Sequence, residues 1–441
     1  MDLRSIATGL FLQALKHVTV AEAVRARVHT DGEKLRIGEL SYALNEFRRV
    51  IVVAVGKAAV PMCGAILSTI EPSLLRRQLV EAVIVGSTTP DWHDPRVRFF
   101  RGGHPLPNAA SREAAEYILH LLKSCDETCL VLFLISGGAS AMIEFPIDPN
   151  KTTEEVSAFF GALVNSGLPI VAMNALRSHF SRVKGGRLAV AARGSTQCTL
   201  LISDVPHNLL HVVGSGPSLP DPSTTEDCRE ILRARAKELN LPKNLVNFFA
   251  DPELEETIKA NDLAFEKSEC RSLLSSEDLC AVAREAAMQF GFEVVVDHQC
   301  DDWGYREAAA YLLGRLQELR KHHPRVCLLS AGEIAVQLPK HYGIGGRNQQ
   351  FTLECARLLP TLGLEATVLS GGSDGIDGNS PAAGAVCDET TVARAGDMGL
   401  NVVEALDGFA SYELFERLGD AIVTGLTETN VRDLRILLSS A

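Results

Sequence analysis

CLVLFLISGGAS, residues 129–140, is apolar as far as Ile135 and then breaks into Ser136-Gly137-Gly138-Ala139-Ser140. A run with no polar face to offer water predicts a strand buried on both sides of a parallel sheet. The break has its own logic. Glycine adopts positive φ and lets the backbone approach another body closely, and an N–H-lined turn entering a helix holds anions. For one such stretch alone, a tight strand-to-helix turn explains as much.

The pattern recurs, however. RVIVVAVGKAA (49–59), EAVIVGSTTP (81–90), CTLLISDVP (198–206), FEVVVDH (292–298), RVCLLSAGE (325–333) and ATVLSGGSDG (366–375) are each apolar runs that end in Gly, Ser, Lys or Asp. Amphipathic stretches lie between them. SREAAEYILHLLKSC sets Ala114, Ile118, Leu121 and Leu122 on one helical face, and TTEEVSAFFGALV opens with a Thr152–Glu155 capping box ahead of Val156, Phe159, Phe160 and Leu163. Strand alternating with helix is the α/β signature. At 441 residues, two domains are expected: a Rossmann-like parallel-sheet domain over 1–240, then a helical connector and a smaller α/β domain over 241–441. The N-terminal stretch has apolar positions Ile6, Leu10, Leu12, Leu15 and Val18, which fit a packed helix; a mitochondrial transit peptide is the alternative.

Composition narrows the function. Forty-three Lys and Arg against 55 Asp and Glu give a net charge of −12, with no basic patch for a nucleic acid. No apolar run reaches the length of a membrane span. Eleven cysteines, an odd count without paired CxxC spacing, read as reduced buried residues of a cytoplasmic-type protein. The oligomeric state is left open, with a homo-oligomer allowed.

In open parallel sheets, ligands bind at the carboxyl ends of the strands. Here those ends carry Gly56-Lys57, Ser136-Gly137-Gly138, Ser203-Asp204, Ala331-Gly332-Glu333 and Ser370 to Asp374, which together point to a phosphate or nucleotide cleft. Neither a Walker A motif nor GxGxxG is present, and Ser140 in GASAM lacks the second Gly of a nucleophile elbow. NALRSHFSRVKGGRLA (174–189) clusters Arg177, Arg182, Lys184 and Arg187 around Gly185-Gly186, suited to anions. Asp204 is placed as a Mg²⁺ ligand or proton acceptor. A surface lysine is the plain reading of Lys57, but the wholly apolar strand before it favours a functional one. Arg347, between Gly345-Gly346 and three amide side chains, reads as a pocket residue. Asp374 is weighed evenly between an Asx turn and contact with Mg²⁺ or substrate; Asp377 is weighed lower, and His104 is read as a loop-fixing residue.

VGKAA, GGHPLPN, ISGGASA, NALRSHFSRVKGGRLA, SDVPHNLLHVVGSGPSLPDPST, GIGGRNQQFTLECA and SGGSDGIDGNSPAAGAVCDETT, in that order, resemble the class II glycerate kinases, whose C-terminal domain is called MOFRL. The likeness spans about residues 5–433. It implies phosphorylation of D-glycerate at the 2-hydroxyl by ATP with Mg²⁺, in a cleft between the domains. It further implies Lys57 and Arg347 as basic residues of that cleft and the ISGGASA turn as a phosphate holder; read from their own positions, Asp204 joins Lys57 and Arg347 as catalytic, and Asp204 and Asp374 are expected to hold the metal. Ser136, Gly137, Gly138, Ser140, Arg177, Lys184, Gly185, Gly186, Glu333 and Asp374 would bind substrate or phosphate. Departures from the family pattern are His207-Asn208 for Gly-Asp, Ser178 for a Lys, and Leu426 and Glu428 for Pro and Gly. Two rivals remain: an oxidoreductase acting on hydroxypyruvate, which lacks its dinucleotide fingerprint, and a non-catalytic sugar-phosphate binding module, which leaves Lys57, Asp204 and Arg347 unexplained.

Overall fold

The computed structural model describes residues 2–70, 79–203, 207–427 and 429–440. By packing, the chain divides into two units, Val20–Leu273 and a composite of Met1–Thr19 with Leu274–Ala441.

The first unit is built on a six-stranded sheet in the order Val97–Arg101, Leu79–Gly86, Arg49–Val55, Cys129–Ile135, Thr196–Ile202, Ser268–Leu274. Counted along the chain this is 3-2-1-4-5-6, the doubly wound order, and the four pairings among its first five strands are all parallel. Every residue of Cys129–Ile135 is buried, as its unbroken apolar run requires. Helix Ala109–Leu122 covers the sheet with Ala114, Ile118, Leu121 and Leu122, its first turn closed by an Asn108–Ser111 capping box. Thr152 and Glu155 form the expected box on helix Thr153–Asn165.

That helix, Ile170–Phe180, Thr225–Leu239 and Lys243–Ala250 share a second core in which Phe159, Phe160, Phe180 and Phe249 are fully or almost fully buried. This aromatic cluster is why the packing boundary differs from the expected 240/241 division. Phe249 sits 5.9 Å from Phe159, ring to ring, so the supposed connector belongs to the first unit as far as about residue 273.

The second unit carries a sheet ordered Glu293–Val296, Arg325–Ala331, Asp433–Ser440, Thr367–Gly372, Gly384–Asp388, Ala421–Ile422. It is mixed, a correction to the all-parallel expectation for these runs. Only the Glu293–Val296/Arg325–Ala331 pair is parallel, and Asp433–Ser440 runs antiparallel between two strands that the sequence shows as neighbours. Glu293–Val296 is an edge strand, only partly buried.

Helix Leu3–His17 also packs here, started by Asp2, which accepts a hydrogen bond from Ser5 N at 2.8 Å. Its buried face is Ile6, Ala7, Leu10, Phe11 and Ala14; Leu12, expected inside, is 44% exposed. The Phe11 ring occupies the space that a side chain at Gly371 would need. Arg4 pairs with Asp388 at 2.8 Å and with Asp420. All eleven cysteines are free, and among the described residues no helix is long and apolar enough to cross a membrane.

Candidate active site

The 3-2-1-4-5-6 order reverses between Arg49–Val55 and Cys129–Ile135, which is where a doubly wound sheet opens a crevice beyond its strand ends. Val55 is registered against Ile135, so Gly56-Lys57 and Ser136-Gly137-Gly138 leave the sheet side by side. Lys57 N donates to Gly137 O at 2.9 Å and Ala58 N to Ser136 Oγ at 3.0 Å. Gly56 has φ +124° and no room for a side chain against Ser136. The Gly137 and Gly138 N–H groups have no protein acceptor among the described residues, so they are free to meet an anion.

The crevice is cationic. Lys57 is exposed and makes no ion pair among the described residues. Arg177, on helix Ile170–Phe180, is buried with its guanidinium 4.9 Å from the Phe160 ring centre, and it has no carboxylate within salt-bridge distance among the described residues. Desolvation pushes its pKa down to about 10, with Glu144 pulling weakly the other way. His104 is held lower than its ordinary 6.5, first by desolvation and then by the charges of Lys57 and Arg177.

Other predicted anion binders prove to be committed elsewhere. Lys184 is fully buried and donates to Glu144 and to Ile143 O at 2.8 Å, so its ammonium braces the loop before helix Thr153–Asn165. Gly185 N and Gly186 N donate to Ser215 O and Gly216 O at 3.0 and 2.8 Å, which fastens two loops and leaves no N–H for phosphate. Ser140 Oγ lies 2.8 Å from Ser215 Oγ, which donates to Asn174 Oδ1 at 2.7 Å. Arg182 is bound to Ile147 O, and Arg187 to Ser178 O. Asp204 lies outside the described residues, as does Glu428.

In the second unit, Arg347 opens helix Arg347–Leu362 and its guanidinium fork is filled. Nε and Nη2 donate to the buried Asp433 at 2.6 and 3.1 Å, and Nη1 donates to Glu333 at 2.7 Å. Desolvation alone would lower the Arg347 pKa; the two carboxylates outweigh it and raise it. Glu333, half-buried, is pushed up by desolvation. Its backbone is fixed by Asp301, which accepts Glu333 N at 2.9 Å while held bidentately by Arg432 at 2.7 and 2.6 Å.

Asp377 is fully buried and accepts from Asn348 N, Asn348 Nδ2 and Gln349 N at 3.0, 3.2 and 2.8 Å. It therefore caps the helix that presents Arg347, and desolvation pushes it up to about 7. Asp374 accepts Ile376 N at 3.1 Å in an Asx turn, while its other carboxylate oxygen has no partner among the described residues. Sequence reasoning did not single out Asp433, Asp301 or Arg432. Only the clustering of charges in NVRDLR pointed to the first and third.

Two family descriptions match, "Domain of unknown function (DUF4147)" over residues 6–250 and "MOFRL family" over 326–433. A glycerate 2-kinase of Pyrococcus horikoshii is 31% identical over 99% of this chain and 98% of its own. A relative from Agrobacterium vitis that carries a hydroxypyruvate reductase name is 33% identical over 88% of this chain and 87% of its own. The crystal structure of a glycerate kinase from Thermotoga maritima superposes with a TM-score of 0.83 at 29% identity, covering 99% of both chains. In sequence over nearly its whole length and in fold, the chain belongs to the glycerate 2-kinase family, with a MOFRL domain in its C-terminal half.

Proposed function

We propose that this protein transfers the γ-phosphoryl group of ATP to the 2-hydroxyl of D-glycerate, giving 2-phosphoglycerate and ADP. The observation that carries this reading is Arg177, a buried guanidinium without a counterion among the described residues, whose charge bears on His104 together with that of Lys57. A buried unpaired charge is expensive, and a bidentate carboxylate is its natural partner. Glycerate supplies one.

Phosphoryl transfer asks mainly for positioning and charge neutralisation. Lys57 is the mobile cation for the transferring group, and the free Gly137 and Gly138 N–H groups receive its oxygens. In the second unit, Glu333 offers a half-buried carboxylate and Arg347 a fixed positive charge already tied to Asp433. Mg²⁺ bound with ATP would offset phosphate charge, and the half-engaged carboxylate of Asp374 is of the hard-oxygen type such an ion takes. Asp204 is proposed as a second ligand from its place after a strand.

The test is direct: ATP, Mg²⁺ and D-glycerate are incubated with the protein, ADP is quantified by chromatography, and the product is assigned by ³¹P and ¹H NMR. Formation of 2-phosphoglycerate supports the reading; 3-phosphoglycerate overturns its regiochemistry. The reductase name of one relative motivates a parallel arm with hydroxypyruvate and NAD(P)H. Oxidation of the nucleotide there, without ADP release in the first arm, would replace the kinase by an oxidoreductase.

A further inference from the structure

Transfer to the 2-hydroxyl releases a proton, and resting on the kinase reading above, the geometry points to His104 as the group that takes it. His104 ends the strand-to-loop passage after Val97–Arg101 and stands exposed at the crevice. A side chain at Gly138 would come within 2.9 Å of His104 Cδ2 and 3.3 Å of Nε2, and within 3.3 Å of Lys57 Cγ. The imidazole edge and the Lys57 stem thus converge on one point above the glycine turn. Gly138, at φ +84°, is what leaves the ring that room.

The charged groups facing His104 among the described residues are Lys57, from the turn after Arg49–Val55, and Arg177, from helix Ile170–Phe180; the 136–138 turn offers only backbone and the Ser136 hydroxyl. Both are cations and neither is ion-paired among the described residues. No hydrogen bond from a described residue fixes the ring nitrogens, so the lone pair of one is available. Two cations disfavour imidazolium in the empty site and keep the ring a ready acceptor, in keeping with its lowered pKa. When the glycerate carboxylate meets Arg177 and phosphate meets Lys57, that penalty falls, and the ring can hold a proton.

The step balances. The glycerate O2–P bond forms, the bond from the γ-phosphorus to the bridging oxygen of ADP breaks, and the hydroxyl proton passes to an imidazole nitrogen and then to water on the exposed side. Glu144 cannot serve, being buried and paired to Lys184.

The test compares wild type with His104→Gln and His104→Ala under saturating Mg-ATP. His104 is exposed, so both variants should melt like wild type. In both, turnover at saturating glycerate should drop ~100-fold or more, the scale of losing a positioned base, with a glycerate KM within about threefold of wild type. The acid limb of the wild-type kcat profile should be missing from His104→Gln, and added imidazole should partly restore His104→Ala. Activity of His104→Gln within about threefold of wild type, persistence of its acid limb, or a rise in KM at unchanged kcat would overturn the assignment while leaving the kinase intact. Absence of ADP formation by wild type would overturn the kinase reading itself, and the assignment with it.

Discussion

Replacing Arg177 by Met separates a binding residue from a structural one, because the two roles predict opposite changes in stability. Arg177 is 8% exposed and has no carboxylate partner among the described residues. Burial brings its pKa down from the usual guanidinium range to about 10. At ~1.4 kcal/mol per pKa unit, keeping the charge inside the fold costs ~3 kcal/mol. Because pH 7 lies below both values, the group is protonated folded and unfolded, and that whole cost is present. Against it stands the contact with Phe160 at 4.9 Å, worth ~1 kcal/mol. Methionine fills comparable space without charge, so Arg177→Met should stabilise the ligand-free protein by ~2 kcal/mol, or about 4 °C or more for a unit of this size.

Activity should move the other way. Losing a desolvated charge partner of the glycerate carboxylate costs ~2–5 kcal/mol, so kcat/KM for glycerate should fall by at least ~30-fold. Differential scanning fluorimetry with and without D-glycerate, next to initial rates, reads both quantities. The variant should melt higher than wild type and gain nothing from glycerate. A variant that melts lower and still responds fully to glycerate would show that Arg177 holds the fold, and the charge argument would fail.

Lys57→Ala should lower kcat by ~10²-fold or more, the scale of losing one charge-stabilising group, with an unchanged circular dichroism spectrum because the side chain is exposed. Gly138→Val should abolish turnover, since its side chain would strike His104 and strain a φ of +84°; ligand-dependent melting shifts check it, and a full response to both Mg-ATP and glycerate would contradict it. Ser136→Ala should cost less, removing one acceptor for Ala58 N, ~1 kcal/mol of stability. Asp374→Asn and Asp204→Asn should each raise the Mg²⁺ concentration for half-maximal activity; an unchanged Mg²⁺ dependence in both would make those carboxylates structural or substrate contacts.

The strands of the first unit were legible because strands buried on both faces need unbroken apolar runs, and Arg49–Val55, Cys129–Ile135 and Thr196–Ile202 have them. Asp433–Ser440 escaped notice although it is interior to its sheet. Its Asp433 and Arg435 break the apolar pattern, and both are buried because partners remote in sequence satisfy them, Arg347 for one and Gly332 O for the other. The site divides in the same way. Lys57, Arg177, Ser136 and Gly138 stood out because a strand end or a charge run announces them. Lys184 and Gly185-Gly186 looked equally suited to anions, but their donors answer to Glu144 and to the 215–216 backbone, which spacing cannot reveal.

Helix Leu3–His17 has its partners beyond residue 273, with the whole first unit between them. On the ribosome this helix emerges before its partners and must wait, its apolar face with Phe11 and Leu10 unmatched, until Thr367–Gly372 and Asp433–Ser440 are made. The first unit can meanwhile fold by itself, as intervening domains generally do. The chain is thus read as one unit inserted into another, and the composite unit closes only after Asp433–Ser440 has been made. Freely expressed fragments should reflect the same order: residues 20–273 folding alone, and 274–441 needing the N-terminal helix supplied in trans or fused back on.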